Sequence, residues 1–178
     1  MALLAEEIVE EWLNRQGYFT IRGIRIGVHE IDLLALKLNA DRTTECRHIE
    51  VQSSMRPVSF ISQVPKSLRK LGRAPNSARR THEELVEGVA EWVEKKFRHP
   101  AKMALMENLC VGRWTSELVA NAVKSDEELK LIATHGIKIH RLSDVLSSLA
   151  KERHVIERAR GAEITDLIFM SLQSKAGS

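Results

Sequence analysis

The stretch that decides the fold runs from residue 29 to residue 52 and reads HEIDLLALKLNADRTTECRHIEVQ. Residues 31–36, IDLLAL, are almost continuously apolar, which is typical of a strand covered on both faces. Residues 39–43, NADRT, have the composition of a turn, and residues 47–52 alternate between polar and apolar side chains. We therefore expect two strands that pair as an antiparallel hairpin.

The hairpin brings two acidic residues together. A turn centred on Asp41 places Asp32 opposite Glu50, and the alternation independently places Glu50 on the polar face of its strand. Two carboxylates held side by side cannot both ionise without a large free-energy cost. A divalent cation, or a proton shared between them, would remove that cost.

The chemistry of this pair admits two interpretations. Because the ligand set contains only oxygen, it favours Mg²⁺ or Mn²⁺ over zinc, and such an ion would support hydrolysis of a phosphodiester by activating a water for in-line attack. Alternatively, the two acids are structural and are neutralised by nearby Arg or Lys side chains. An Asp inside a buried apolar strand is costly without a partner, which favours the functional interpretation.

The remaining elements follow from periodicity and capping signals. A helical stripe covers residues 4–13 and stops at Gly17. A strand at 18–26 follows, and a helix with its N-terminal capping box at residues 81–84 precedes Pro100. The later predictions are a strand at 102–111, a loop at 112–116, a helical stretch at 117–135, a strand at 137–140, and helices beginning at 143 and covering 164–172. This order predicts an α/β fold, a three-layer sandwich with a small mixed sheet flanked by helices.

Length and composition narrow the class of protein. With 178 residues, 43% of them hydrophobic, the chain suits one globular domain, which we place at residues 1–160, with a C-terminal helix and tail at 161–178. The two cysteines, Cys46 and Cys110, lie far apart in sequence and indicate neither a zinc site nor a disulfide framework. The start of the chain is acidic and no apolar run is long enough for a membrane helix, so we expect a cytoplasmic protein that does not contact membranes.

A basic segment follows the hairpin. Residues 53–80 contain seven cations and no acidic residue, so the formal net charge of +3 averages over a basic segment and an acidic remainder. Such a run can be a solvated, partly flexible surface. Beside an acidic pair, it could instead hold a phosphate backbone. The candidate DNA-binding residues are Arg56, Lys66, Arg69, Lys70, Arg73, Arg79 and Arg80.

The residues described so far resemble the PD-(D/E)xK restriction-endonuclease-like nuclease superfamily, in particular its Holliday-junction-resolvase and Mrr-like branch. The resemblance extends from the first helix to about residue 149, and its motifs are AEEIV at 5–9, EIDLLA at 30–35 and IEVQ at 49–52. It implies a Mg²⁺- or Mn²⁺-dependent DNA endonuclease that works as a homodimer. In such proteins Asp32 and Glu50 would ligate the metal, Glu6 would add to the acidic cluster, and the Val51 carbonyl would be a further ligand.

The main departure from the family motif is Gln52, which stands where the family has Lys. Lysine would stabilise developing negative charge, whereas Gln52 can position a water but carries no charge; Lys66 or Lys70 could substitute for it. The departure leaves open a second hypothesis, a catalytically inactive DNA-binding module derived from a nuclease.

A third and weaker hypothesis is an interaction protein whose apolar tail docks a partner or a second copy. The tail residues are Ile164, Leu167, Ile168, Phe169, Met170 and Leu172. A zinc deaminase is excluded because its signature needs a later Pro-Cys-x-x-Cys, which the sequence lacks. Among the histidines, His29 and His48 could lie near the carboxylates and have a minor role.

Overall fold

A computed structural model describes residues 2–54 and 58–151 of the chain. The helices are α1 (Ala2–Arg15), α2 (Lys66–Arg69), α3 (His82–Phe97), α4 (Pro100–Leu109), α5 (Asp126–Thr134) and α6 (Leu142–Lys151). The strands are β1 (Phe19–Ile26), β2 (His29–Leu38), β3 (Thr44–Gln52), β4 (Trp114–Ala120) and β5 (Lys138–Arg141).

The five strands form one mixed sheet in the order β1-β2-β3-β4-β5. The first three strands are antiparallel neighbours, and β3, β4 and β5 run parallel. Helices α1 and α6 pack together against one face, whereas α3, α5 and α4 cover apolar residues of the other. The predicted α/β sandwich with a small mixed sheet flanked by helices is confirmed.

The hairpin of β2 and β3 has the predicted register. Leu33 pairs with Ile49, and Leu38 pairs with Thr44 next to the turn. Within the turn, Asp41 Oδ1 accepts hydrogen bonds from the backbone N–H and the hydroxyl of Thr43, which fixes the turn locally. Ile49 and Val51 are buried in the core with α1 and α6.

Local signals also place the helix ends correctly. The Thr81 hydroxyl accepts from the backbone N–H of Glu84 at 3.3 Å, and the Glu84 carboxylate accepts from the Thr81 N–H at 3.0 Å, so the predicted capping box is present. The apolar stripe of α1 is buried as predicted. Two of its acids are not on the surface, however: Glu6 is buried, and Glu11 is buried and pairs with Arg15.

Two predicted elements are wrong. Residues 102–111 are not a strand: α4 covers most of them, with Pro100 in its first turn and the His99 ring capping it, and its buried Lys102 and Met106 are four residues apart, the helical period. Residues 117–120 are strand, not helix. They form the C-terminal part of β4, in which Glu117 and the three apolar residues from Leu118 onward are all buried.

The polar character of Glu117 suggests an exposed helix when the sequence is read alone. In the structure it lies in the sheet, where Arg47 and His140 bind its carboxylate. The predicted helical stretch therefore contains β4 and the shorter α5, and Trp114 begins a strand instead of lying in a loop.

The predicted tail helix, the tail residues proposed for dimerisation and the division at residue 160 lie outside the described residues. No helix in the described ranges, 2–54 and 58–151, is both long enough and apolar enough to cross a membrane.

Candidate active site

Asp32 lies where the backbone ladder of β2 opens. The pairing of β1 with β2 skips the position at which Gly23 would face Asp32, and Gly23 has a positive φ of 67°, a conformation that favours glycine. On the other side, the β2–β3 ladder ends at Leu33 and Ile49. The backbone N–H of Val51 is therefore available, and it donates to Asp32 Oδ2 at 2.8 Å.

Glu50 is held by three side chains on the face covered by α3 and α4. Its Oε1 lies 3.0 Å from His48 Nε2 and accepts from Lys102 Nζ at 2.8 Å, and its Oε2 accepts from Lys96 Nζ at 2.6 Å. Burial alone would raise the pKa of Glu50. The His48 hydrogen bond and the two ammonium groups outweigh it and lower the pKa to about 2, so Glu50 is ionised at neutral pH.

Asp32 and Glu6 have the opposite electrostatics. Burial, followed by the negative charge of Glu50, raises the pKa of Asp32 to about 7. Burial also raises the pKa of Glu6, and the charges of Glu30 and Glu50 add to that effect. Glu6, Asp32 and Glu50 therefore lie near enough for their charges to affect one another's pKa.

The acids of this region have different cationic neighbours. Lys96 and Lys102 contact the carboxylate of Glu50, whereas Arg22 is the largest positive influence on Glu6. Burial is the first cause of the raised pKa of Asp32 and of Glu6, and neighbouring acids add to it, so a bound cation would stabilise the ionised carboxylates.

The donor set suits a hard divalent cation. Carboxylate oxygens each have two lone-pair sites, so Glu50 can accept a lysine and a metal at the same time. Because the N–H and C=O of one strand residue point to the same neighbour, the Val51 carbonyl also points to the Asp32 side of β3. In the described ranges no group of three or more His, Cys, Asp or Glu side chains is placed so that it could hold a metal ion, so at most two such side chains would bind one here. Mg²⁺ typically uses only one or two carboxylates and completes its shell with water and phosphate.

Gln52 ends β3 and is half-buried, with its backbone C=O accepting from the N–H of Asn121. Lys66 and Lys70, which the sequence offers as substitutes for a motif lysine, lie on and directly after the short α2 and are exposed. The lysine that contacts Glu50 from α3 is Lys96. The sequence carries a signal for it, because Lys96 follows the buried Val89 and Val93 by seven and three residues, on the same face of the helix.

The predicted proximity of His48 to the carboxylates is confirmed, and His29 has a different environment. His48 is fully buried, and burial lowers its pKa despite the hydrogen bond with Glu50. Its Nδ1 has no partner among the described residues. The His29 ring stacks on His99, with ring centroids 3.6 Å apart.

The basic segment is partly neutralised by α3. Arg73 pairs with Glu84 at 2.8 Å, and Arg69 lies 3.7 Å from Glu91. Arg80 is half-buried, with its guanidinium 4.3 Å from the Phe60 ring centroid. Of the candidate DNA-binding residues, Arg56 lies outside the described residues, and those with exposed side chains and no ion pair within residues 58–151 are Lys66, Lys70 and Arg79.

A second charged cluster, which the sequence does not predict, lies across the three parallel strands β3, β4 and β5. Arg47 forms a double hydrogen bond with Glu117, and His140 Nε2 lies 2.7 Å from the same carboxylate. The Arg47 guanidinium also lies about 5 Å from the rings of Trp12 and Tyr18. This cluster borders a cavity of about 380 Å³ and belongs to the α1 side of the sheet, away from Glu50.

Comparison with known proteins gives little further information. No protein-family model matches the sequence, and no curated protein matches it. One solved structure, titled as a protein of unknown function, AF1548, is 15% identical, with 84% of this chain and 67% of that chain covered and a TM-score of 0.47. That title assigns no activity.

Proposed function

We propose that the chain is a divalent-metal-dependent DNA endonuclease whose site is built from Glu6, Asp32, Glu50 and Lys96. The observation that carries the proposal is Asp32, which accepts from the Val51 N–H where the β2–β3 ladder opens and whose pKa burial and the charge of Glu50 raise, next to a Glu50 that holds the accessible Lys96. A metal ion would stabilise the ionised form of Asp32.

The ion would be held by the oxygens of Asp32 and Glu50 and by the Val51 carbonyl, with Glu6 supporting the cluster. Bound Mg²⁺ or Mn²⁺ supplies Lewis-acid chemistry, polarising a phosphate and acidifying water. Asp32 is oriented for this task by the Val51 N–H. Lys102 is 1% exposed, so its part is to hold Glu50 in place.

Lys96 takes the place of the motif lysine in this proposal. Its side chain is about one-third exposed while its Nζ contacts Glu50 Oε2, so the ammonium group can reach both the acidic cluster and a bound phosphate. A fixed positive charge at that position stabilises the negative charge that develops on the phosphate during hydrolysis. Gln52 at the end of β3 can orient water through its amide.

The DNA backbone would lie along the basic segment. Lys66, Lys70 and Arg79 are exposed and have no ion pair within residues 58–151, so they can neutralise phosphates and release counterions. Arg69 and Arg73 already pair with glutamates of α3, so their contribution is smaller.

Plasmid cleavage tests the proposal. We expect the purified wild-type chain to nick or linearise supercoiled DNA in Mg²⁺ or Mn²⁺ and to be inactive in EDTA. The Asp32→Asn variant should lose the activity, and the matched control Asp144→Asn, at an exposed position of α6, should retain it. Cleavage that continues unchanged in Asp32→Asn would contradict the proposal and would indicate a contaminating nuclease or a different site.

One observation favours a second candidate, an inactive DNA-binding module. Both Glu50 oxygens already accept lysine ammonium groups, and Gln52 carries no charge. This candidate predicts salt-sensitive DNA binding, no cleavage with any divalent metal, and the same affinity for DNA in wild type and Asp32→Asn. The endonuclease proposal predicts cleavage in the same samples, so one set of proteins separates the two.

A further inference from the structure

The two cysteines, 64 positions apart in sequence, meet in the fold. Cys46 Sγ and Cys110 Sγ lie 2.8 Å apart. Cys46 is buried in β3 at 2% exposure, and Cys110 is half-buried at the C-terminus of α4. The sequence indicated no disulfide framework, and both cysteines are free thiols in the structure; the sequence did not predict that the fold places them side by side.

Both cysteines are held by ordered backbone. Cys46 pairs with Leu36 of β2 on one side and with Trp114 of β4 on the other. The Cys110 N–H donates to the Met106 carbonyl, and the Cys110 carbonyl accepts from Trp114 Nε1 at 3.2 Å. The two thiols therefore meet because of the fold itself, and neither needs a rearrangement of the chain to reach the other.

We propose that Cys46 and Cys110 form a reversible intramolecular disulfide when the chain meets a low-molecular-weight disulfide such as oxidised glutathione. The Cys110 thiolate attacks one sulfur of the oxidant, forms a mixed disulfide and expels one glutathione thiolate. The Cys46 thiolate then attacks Cys110 Sγ and expels the second glutathione thiolate. The two protein thiols lose two electrons and two protons, and the oxidant becomes two thiols.

The order of attack follows from exposure. Cys110 is the accessible thiol of the pair, next to Val111, which is 97% exposed. Burial, followed by the hydrogen bond with Cys110, raises the pKa of Cys46 to about 12, so Cys46 is a poor first nucleophile. Once Cys110 carries glutathione, however, its sulfur is held against Cys46, and this proximity drives the second step.

The cross-link would connect two elements that hold the same ion pair. Glu50 is four residues after Cys46 on β3, and Lys102 is eight residues before Cys110 on α4; their side chains are in contact. The disulfide therefore fixes α4 against β3 in the arrangement already present. This proposal does not depend on endonuclease activity.

Intact-mass measurement after incubation of the full chain with oxidised glutathione tests it. We expect a species lighter than the reduced chain by two hydrogen atoms, a cross-linked peptide containing both cysteines, and a rise in the thermal midpoint on the order of 10 °C. Dithiothreitol should reverse all of these changes. The Cys110→Ser variant, which changes the less buried partner, should show none of them.

Two outcomes would overturn the proposal. A stable glutathione adduct on Cys110 with no cross-linked peptide would show that Cys46 does not complete the exchange. A disulfide-linked dimer that appears on a non-reducing gel, without the intramolecular species, would show that the cysteines react between chains. Either result is informative in the wild-type protein, so the test does not depend on the folding of the variants.

Discussion

The sharpest quantitative prediction concerns the stability of the metal-free protein after Asp32→Asn. The pKa of Asp32 is raised from 3.8 to about 7 by burial and by Glu50. Because the folded pKa exceeds the unfolded value, the contribution of Asp32 to stability is present below pH 3.8 and is lost as the pH rises through 7. Asparagine is neutral at every pH, and it keeps an oxygen that can accept from the Val51 N–H.

The magnitude follows from the shift. About three pKa units at 1.36 kcal/mol each set a ceiling of about 4 kcal/mol, and screening by water at the exposed edge of this half-buried side chain lowers the expected effect to about 2 kcal/mol. We therefore expect Asp32→Asn to be more stable than wild type by about 2 kcal/mol at pH 8.5 and by less than half of that at pH 5, where Asp32 is protonated in the folded protein but already ionised in the unfolded chain. The difference should disappear only below pH 3.8.

Urea unfolding in EDTA at the two pH values measures the difference between the proteins. Subtracting the two free energies of unfolding at each pH removes the titration of His48 and other groups common to both proteins. Addition of millimolar Mg²⁺ should then stabilise the wild type and not the variant, by the linkage of binding to folding. A variant that is less stable than wild type at pH 8.5, or a difference independent of pH, would refute this electrostatic reasoning.

Three further predictions concern the lysine, the basic segment and a buried acid. Lys96→Met should lower the rate of plasmid cleavage by about a hundredfold, whereas the exposed neighbour Lys95→Met should leave the rate unchanged; equal rates would remove Lys96 from the site. Replacing the three exposed cations Lys66, Lys70 and Arg79 with Ala should reduce the slope of log Kd against log salt concentration by about 2.7. An unchanged slope would show that DNA binds elsewhere on the protein. Glu128→Gln should lower the free energy of unfolding by about 2 kcal/mol, because the carboxylate accepts three hydrogen bonds from residues 61 and 62; an unchanged urea midpoint would contradict this.

The parts of the fold predicted from sequence are those set by short-range rules. The turn around Asp41 fixes the hairpin register, and that register brings Asp32 and Glu50 together. The capping box at Thr81 and the apolar stripe of α1 likewise depend on residues within a few positions of one another. For these features, the local backbone preference and the burial of apolar side chains favour the same structure, so the sequence pattern alone predicts it.

The parts that sequence did not predict depend on partners distant in the chain. Glu117 resembles a helix surface residue until Arg47, 70 positions away, pairs with it in the sheet. The sequence did not predict helix α4 because an apolar run such as MALM does not distinguish a buried strand from a helix. The ammonium group of Lys102, at the start of this helix, is buried because it donates to the distant Glu50.

Buried acids need positive charge nearby, and at Glu50 two lysines of α3 and α4 supply part of it. Neither lysine is adjacent to the motif in sequence. Burial still raises the pKa of Asp32 to about 7, and the metal proposal depends on this cost of ionising Asp32.

The most direct test of the account is an anomalous difference map from crystals of the chain soaked in Mn²⁺. We expect one strong peak in contact with carboxylate oxygens of both Asp32 and Glu50, and the loss of that peak in crystals of Asp32→Asn. A map without a peak at these carboxylates, with Glu50 still held by Lys96 and Lys102, would contradict the central claim that this cluster binds a divalent cation.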